Sequence, residues 1–233
     1  MIMQFIPMSD THFHEDSVKN TDMDTEFIRL DILFPDVRKI ISGDITHNGY
    51  ALEYAYAANR IKETDIVCPG NHDECTKGSW YNFLARWRFE KTFHITKWPH
   101  ITTFESEKII IITLDSVCHT INPLDFACGK IGYWQLKRLD NILTKYQGWF
   151  ILVAFHHHPW YHYNPTMKLI DADQLLAVCK NRVDVFSFGH KHEKRLYQNK
   201  DGIRFAFALG KASEPLSKWL FTISGKDILY KEI

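Results

Sequence analysis

The chain has 233 residues, of which 45% are hydrophobic and 24% charged, so it can bury a sizeable core as a globular protein does. Its formal net charge is zero, which leaves no basic surplus to hold long nucleic acids or an anionic membrane. No apolar run reaches the roughly 18 residues of a membrane span, and the start lacks a signal-peptide pattern. The five cysteines have no Cys-x-x-Cys spacing, so we expect a cytoplasmic protein with free thiols.

The first third of the chain alternates between apolar strands and helical segments. Residues 2–8, 37–42 and 65–68 are apolar runs that predict strands. Between them, residues 24–33 and 50–63 carry apolar side chains at helical spacing, whereas the polar stretch before residue 24 predicts a loop. This order predicts parallel β–α–β units with right-handed crossovers.

The rest of the chain continues this mixed pattern. We predict an aromatic helix or covering loop at residues 79–93, a hairpin at 101–114, a helix at 131–145 and a strand at 150–155. A second helix at 171–180, a second strand at 183–188 and three or four antiparallel tail strands at 194–233 follow. No repeat, low-complexity segment or linker interrupts the chain, which predicts one domain over residues 1–233.

Polar clusters follow five of the predicted strands. They are Asp10-x-His12, Gly43-Asp44, Gly70-Asn71-His72-Asp73, His156-His157-His158-Pro159 and Gly189-His190-x-His192. If these strand ends meet at one edge, their carboxylates repel and raise each other's pKa, and a cation resolves the conflict. Imidazole together with carboxylate suits Zn, Fe, Mn, Ni or Co, whereas Ca or Mg would take oxygen ligands alone.

The number of candidate ligands suggests two metal ions. One set is Asp10, His12 and His192; the other is Asn71, His157 and His190, with Asp44 as the bridging carboxylate. Two ions about 3.5–4 Å apart clamp the attacking and leaving oxygens of a phosphoryl displacement.

In type and order, the five clusters resemble the motif blocks of the calcineurin-like metallophosphoesterases, over residues 10–192. The pattern is most similar to the small bacterial phosphodiesterases that act on cyclic nucleotides or glycerophosphodiesters. The resemblance implies an α/β fold, a four-layer αββα sandwich of two mixed β-sheets flanked by helices. It also implies two transition metal ions (Mn, Fe or Zn), the first bound by Asp10, His12, Asp44 and His192. The second would be bound by Asp44, Asn71, His157 and His190, and His72 would assist the leaving group without binding metal.

The resemblance further implies hydrolysis of a small-molecule phosphodiester, a cyclic nucleotide or a similar ester, by a metal-bridging hydroxide. Residues 43–49 differ from the Gly-Asp-x-Val-Asp-Arg-Gly block of the protein Ser/Thr phosphatases, and lipid A pathway hydrolases carry Arg at the position of His72. Both branches are therefore disfavoured. The alternatives are a phosphomonoesterase, a nuclease acting on short single strands, and a metal-binding scaffold without catalysis.

Several positions leave two interpretations open. Counting back from Pro159 selects His157 as the metal ligand, which we favour because the proline fixes the turn, whereas counting from the strand end selects His156. Asp73 can orient an imidazole or cap the next helix. The remaining positions either line the cleft or form surface loops, and they are His14, His47, Asn48 and the aromatic residues 160–163.

Overall fold

Two mixed β-sheets form the centre of the fold in a computed structural model, which describes residues 2–74, 84–118, 127–161, 166–214 and 218–233. The first sheet has five strands in the order β11-β10-β1-β2-β3, and the second has six in the order β4-β5-β6-β7-β9-β8. The strands are β1 (Ile2–Met8), β2 (Arg38–Ser42), β3 (Ile66–Cys68), β4 (His100–Phe104), β5 (Ile109–Thr113), β6 (Phe150–Ala154), β7 (Val185–Phe188), β8 (Arg195–Lys200), β9 (Ile203–Ala208), β10 (Trp219–Ser224) and β11 (Asp227–Glu232).

The α-helices lie outside the sheets. They are α1 (Thr21–Leu33), α2 (Ala51–Ala58), α3 (Asn71–Glu74), α4 (Ala85–Phe93), α5 (Tyr133–Lys145) and α6 (Ala172–Cys179), and a 3-10 helix (Ser17–Asn20) precedes α1. Phe27 and Leu30 of α1 pack on the first sheet, whereas Leu139 of α5 and Leu175 of α6 pack on the second. None of the helices among the described residues is long and apolar enough to cross a membrane.

A shared apolar core joins the two sheets face to face. Phe5 and Ile40 of the first sheet belong to one buried cluster with Ile111, Leu152 and Phe207 of the second. Because each sheet buries one face against the other sheet and the opposite face against helices, the layers run helix, sheet, sheet, helix. The predicted fold class is confirmed.

Strand directions agree with the β–α–β prediction where the candidate ligands lie. β1, β2 and β3 are parallel neighbours, as are β5, β6 and β7. The predicted hairpin is the antiparallel pair β4–β5. The tail strands are divided between the sheets: β8 and β9 close the second, whereas β10 pairs with β1 and carries β11 to the edge of the first.

Two helical segments differ from the sequence-based expectation. The chain turns helical at Ser17, inside the predicted loop, because the Asp16 side chain accepts a hydrogen bond from the Val18 amide and caps the 3-10 helix. The short helix α3 was not predicted; it begins at Asn71, directly after the Pro69-Gly70 turn. Of the predicted aromatic segment, residues 85–93 are helical, and residues 79–83 lie outside the described part of the chain.

Candidate metal centre

The five polar clusters converge because parallel strands end at the same edge. Glycines allow the approach: a Cβ on Gly70 would lie 2.2 Å from Asp44 Oδ1, and one on Gly189 would lie 2.4 Å from Asp10 Oδ2. No other residue fits these two positions without displacing a carboxylate. The glycines before Asn71 and His190 thus set how closely the loops meet.

Asp10, His12 and His192 form one group of candidate ligand atoms, which lie within 4.8 Å of one another. His192 Nε2 lies 3.2 Å from both Asp10 Oδ1 and His12 Nε2. Asp10 is fully buried, and its hydrogen bond to His192, together with its charge, raises the pKa of that ring against the effect of burial. The group contains the imidazole and carboxylate donors that suit a transition metal.

Asp44 and His156 form a second group together with Asp10. His156 Nε2 lies 3.2 Å from Asp44 Oδ2 and 3.2 Å from His190 Nδ1. His12 Nε2 lies 3.8 Å from the same Asp44 oxygen, so Asp44 stands between the two groups. A carboxylate in this position can be shared by two ions, as the sequence predicts for Asp44.

The carboxylates around His156 favour a positive charge on its ring. Its Nδ1 lies 2.9 Å from the Ser42 carbonyl oxygen, which can only accept, so the ring proton is on Nδ1. Nε2 of a neutral ring would then direct a lone pair at the Asp44 carboxylate. Although burial lowers the pKa of His156, the charges of Asp44 and Asp10 raise it to about 9, so a proton fills the gap in the metal-free protein. A metal ion can take the same position.

Several buried polar atoms have no hydrogen-bond partner among the described residues. Asn71 Oδ1, His157 Nε2 and His190 Nε2 are in this class. Because a buried polar atom without a partner is destabilising, these three atoms indicate a binding site for a ligand. The amide oxygen of Asn71, a neutral donor at the start of α3, fits a metal ion.

The triple histidine divides its contacts in a way that the proline count does not foresee. His156, the alternative in the sequence analysis, contacts Asp44 and His190. His157 Nδ1 lies 2.8 Å from Ser116 Oγ, and its ring centroid is 4.5 Å from that of His190. The contacts therefore leave both histidines open as ligands: His156 Nε2 faces the Asp44 carboxylate, and His157 Nε2 is buried without a hydrogen-bond partner among the described residues. Ser116 was not singled out from the sequence, although it follows the apolar run of β5 as the other polar clusters follow theirs.

His72 is held in place while one of its ring nitrogens stays available. Its Nδ1 donates to the His47 carbonyl oxygen at 2.6 Å, and its amide donates to Asp44 Oδ1 at 2.9 Å. The ring meets that of His12 edge-on at a centroid distance of 4.7 Å. His72 therefore lies beside the candidate ligands with Nε2 free of that hydrogen bond, as a proton donor to a leaving group would need.

Asp73 supports the turn between the loops. Its fully buried carboxylate accepts hydrogen bonds from the amides of Gly70, Ile45 and Thr46 and from the Thr46 hydroxyl. Burial, followed by the charge of Asp44, raises its pKa to about 6. Both interpretations from the sequence were too narrow, because Asp73 joins the loop after β2 to the start of α3.

Five of the ten non-glycine residues with positive φ in the described part of the chain are candidate ligands. Positive φ angles occur at Asp10 (57°), His12 (44°), Asp44 (50°), His190 (75°) and His192 (53°). Non-glycine residues rarely adopt this region, and each instance costs about 1–3 kcal/mol. The packed sheets thus hold the candidate ligands in conformations that local preference disfavours, as is typical of functional sites.

A cleft of about 430 Å³ opens beside the first group. His12, His72 and His192 line it, together with His14 and His47, whose rings stack at 3.9 Å. Of the two interpretations from the sequence, lining the cleft or forming a surface loop, the first therefore applies to His14 and His47. Burial, and then the nearby His14, His72, Lys19 and Lys211, lower the pKa of His47 to about 4.

The start of the aromatic loop packs away from this cleft. The Trp160 ring contacts Phe186, Phe188 and Tyr197, and its Nε1 donates to Asp201. These contacts agree with a packed surface loop at Trp160. The predicted aromatic positions 162 and 163 lie outside the described residues.

Residues 3–194 match the family model described as calcineurin-like phosphoesterase. Because this match covers most of the chain, the protein belongs to the calcineurin-like phosphoesterase family. That assignment supports a metal-dependent phosphoric ester hydrolase, and the ligand groups above fit a metal centre. No curated protein matches the chain.

Solved structures with this fold are distant in sequence. GAP50, the anchor in the inner membrane complex of Plasmodium, is 12% identical with a TM-score of 0.65; the alignment covers 100% of this chain and 84% of GAP50. PhoD is 12% identical with a TM-score of 0.64, and the alignment covers 96% of this chain and 64% of PhoD. At such identity the likeness shows the fold alone.

Proposed function

We propose that the protein is a binuclear phosphodiesterase acting on a small-molecule phosphate ester. The first metal ion would be held by Asp10, His12, Asp44 and His192. The second would be held by Asp44, Asn71, His190 and one of two residues of the triple histidine: His156, which faces Asp44, or His157, whose Nε2 has no partner among the described residues. The observation that carries the proposal is the position of Asp44, whose Oδ2 lies 3.8 Å from His12 Nε2 and 3.2 Å from His156 Nε2.

Bound Mn, Fe or Zn ions would neutralise charge on the phosphoryl oxygens and lower the pKa of a water molecule in the site. The protein's own residues do the rest. The Asp44 carboxylate fixes the His72 amide, and the His47 carbonyl fixes the His72 ring, so the imidazole is oriented before the substrate binds. When both ring nitrogens of His72 carry a proton, Nε2 would donate its proton to the departing oxygen, and the neutral alcohol would then be the better leaving group.

A scaffold without catalysis is the contrasting candidate, since one protein of similar fold is described as an anchor. A scaffold that has lost its metal predicts that ligand positions are lost. Here all the predicted positions keep a metal-binding side chain. The retained ligands favour hydrolysis over such a scaffold, and turnover distinguishes hydrolysis from a scaffold that binds metal.

The test uses manganese-loaded protein with bis(p-nitrophenyl) phosphate and p-nitrophenyl phosphate as diester and monoester. We expect a higher kcat/KM for the diester. A higher kcat/KM for the monoester would replace the proposal by a phosphomonoesterase, and cleavage of short oligonucleotides alone would replace it by a nuclease. Binding of metal without turnover of any of the three would support the scaffold.

A further inference from the structure

Two lysines stand on the wall of the cleft beside the candidate metal centre. Lys19 and Lys211 line it together with His12, His72 and His192. Neither lysine forms an ion pair within the described ranges of the chain. Asp22 is the carboxylate among the residues that line this cleft, so the wall keeps a positive surplus.

The segments that carry the lysines are tied to the centre by hydrogen bonds. Lys19 lies in the 3-10 helix, which ends at the buried Asn20. The Asn20 side chain accepts from the His14 amide and donates to the His14 carbonyl oxygen, at 2.7 and 2.8 Å. The Lys19 backbone therefore has a fixed position next to the His14–His47 stack.

Lys211 is anchored from the other side. It forms a parallel β-bridge with Ser9, and the Ala212 amide donates to the Ser9 carbonyl oxygen at 3.0 Å. The backbone of Lys211 is thus bonded to the segment that carries Asp10. Two cations from distant parts of the sequence are held at one cleft, which random surface charge does not require.

His72 identifies the side of the site on which the lysines lie. Its ring is fixed by the His47 carbonyl, and His47 stacks on His14 within the same cleft as Lys19 and Lys211. If His72 protonates the leaving group, the leaving group occupies this cleft. This step rests on the proposed function.

We propose that Lys19 and Lys211 bind a second anionic group, a phosphate carried by the leaving group of the substrate. The substrate class is then a phosphodiester whose leaving alcohol bears a further phosphate. A cyclic nucleotide, with a single phosphate, does not use this subsite. A dianion offers each ammonium a charge-assisted hydrogen bond, stronger than a neutral contact.

Binding tests the subsite without turnover. Propylphosphonate and propane-1,3-bisphosphonate are matched, non-hydrolysable probes that differ by one anionic group. Their Kd values are measured by calorimetry on the manganese-loaded protein. We expect the bisphosphonate to bind about tenfold more tightly, which is about 1.4 kcal/mol, and this preference to fall at higher ionic strength.

The double variant Lys19→Gln/Lys211→Gln should reduce the preference to about twofold and leave propylphosphonate binding unchanged. Lys97→Gln/Lys180→Gln is the control, because it removes two exposed lysines outside the cleft and changes net charge equally. Equal binding of both probes to the wild type would overturn the subsite. So would a preference that survives in the first variant or disappears equally in the second.

The proposed function is judged separately, by hydrolysis of bis(p-nitrophenyl) phosphate. A wild type that prefers the bisphosphonate but does not hydrolyse the diester retains the anion subsite and loses the proposed reaction. A wild type that hydrolyses the diester but does not prefer the bisphosphonate retains the proposed reaction and loses the anion subsite.

Discussion

Metal binding should release a proton from His156, and this release distinguishes it from its neighbour. In the metal-free protein the pKa of His156 is about 9, so the ring is almost fully protonated at about pH 7.5. Burial, followed by the charges of His190 and His156, holds the pKa of His157 well below its usual value, so that ring is neutral. A metal ion binds only a neutral imidazole, so binding at His156 must displace one proton.

The magnitude follows from the pKa values. The difference between 6.5 and about 9, at about 1.4 kcal/mol per pKa unit, is about 3 kcal/mol. Because the folded-state pKa is raised, this stabilisation is fully present below about pH 6.5 and is lost as the pH rises through about 9. His156→Gln should therefore lower the free energy of unfolding of the EDTA-treated protein by about 3 kcal/mol at about pH 6, and by much less above pH 9.

Two measurements check this prediction. Calorimetric titration with manganese in Hepes and in Tris gives the number of protons released, because the two buffers differ in ionisation enthalpy. The wild type should release about one proton more than His156→Gln, and His157→Gln should behave as the wild type. Any release from His192 is common to all three proteins, so it cancels in the comparison. Equal release by the wild type and His156→Gln, or loss of the proton in His157→Gln, would refute the reasoning.

Three further variants test separate parts of the site. His72→Ala should lower kcat about 100- to 10,000-fold with metal content unchanged by elemental analysis, because it removes a proton donor and no ligand; unaltered kcat would exclude that role. Asp44→Asn should reduce the occupancy of both metal positions, and two fully retained ions would exclude the bridge. Arg86 pairs with Glu74 at the end of α3 and with Asp115 after β5, at 3.0 and 2.8 Å. Arg86→Met should lower the free energy of unfolding by about 1–3 kcal/mol in urea titrations. This amount is smaller than for a fully buried pair, because the arginine is about one-third exposed. An unchanged midpoint would mean that the network is neutral.

The sequence predicts the strands and the residues that follow them because both depend on local patterns. Ile40 and Ile41 are buried in β2 shortly before Gly43-Asp44, and Leu152 and Val153 are buried in β6 shortly before the triple histidine. An apolar run that ends in polar residues gives the edge of the sheet without knowledge of the partner strands. For this reason the strands and the polar clusters after them could be predicted, whereas the two-sheet sandwich was expected only from the resemblance to the family.

The choice within the triple histidine could not be predicted in the same way. It depends on the Ser42 carbonyl, which lies in the other sheet and accepts the His156 Nδ1 proton. Ser116 takes up His157 from a third strand end. These contacts depend on how the sheets are stacked, and a proline three residues after His156 carries no information about that. The proximity of Lys19 and Lys211 to the same cleft could not be predicted for a similar reason, since they lie far apart in the sequence.

The charge arrangement of the centre explains how its strained loops can exist before metal binds. Asp10 and Asp44 are buried anions, and each lies 3.2 Å from an imidazole whose pKa it raises, His192 and His156 respectively. A proton on His156 therefore balances part of the carboxylate charge that metal ions would otherwise balance. The stability of the strands comes from the apolar clusters between and around the sheets, which do not include the ligands. Metal ions thus replace protons in a site that is already folded. In a small zinc domain, by contrast, the metal itself drives folding. It follows that metal occupancy depends on pH more steeply than the fold does.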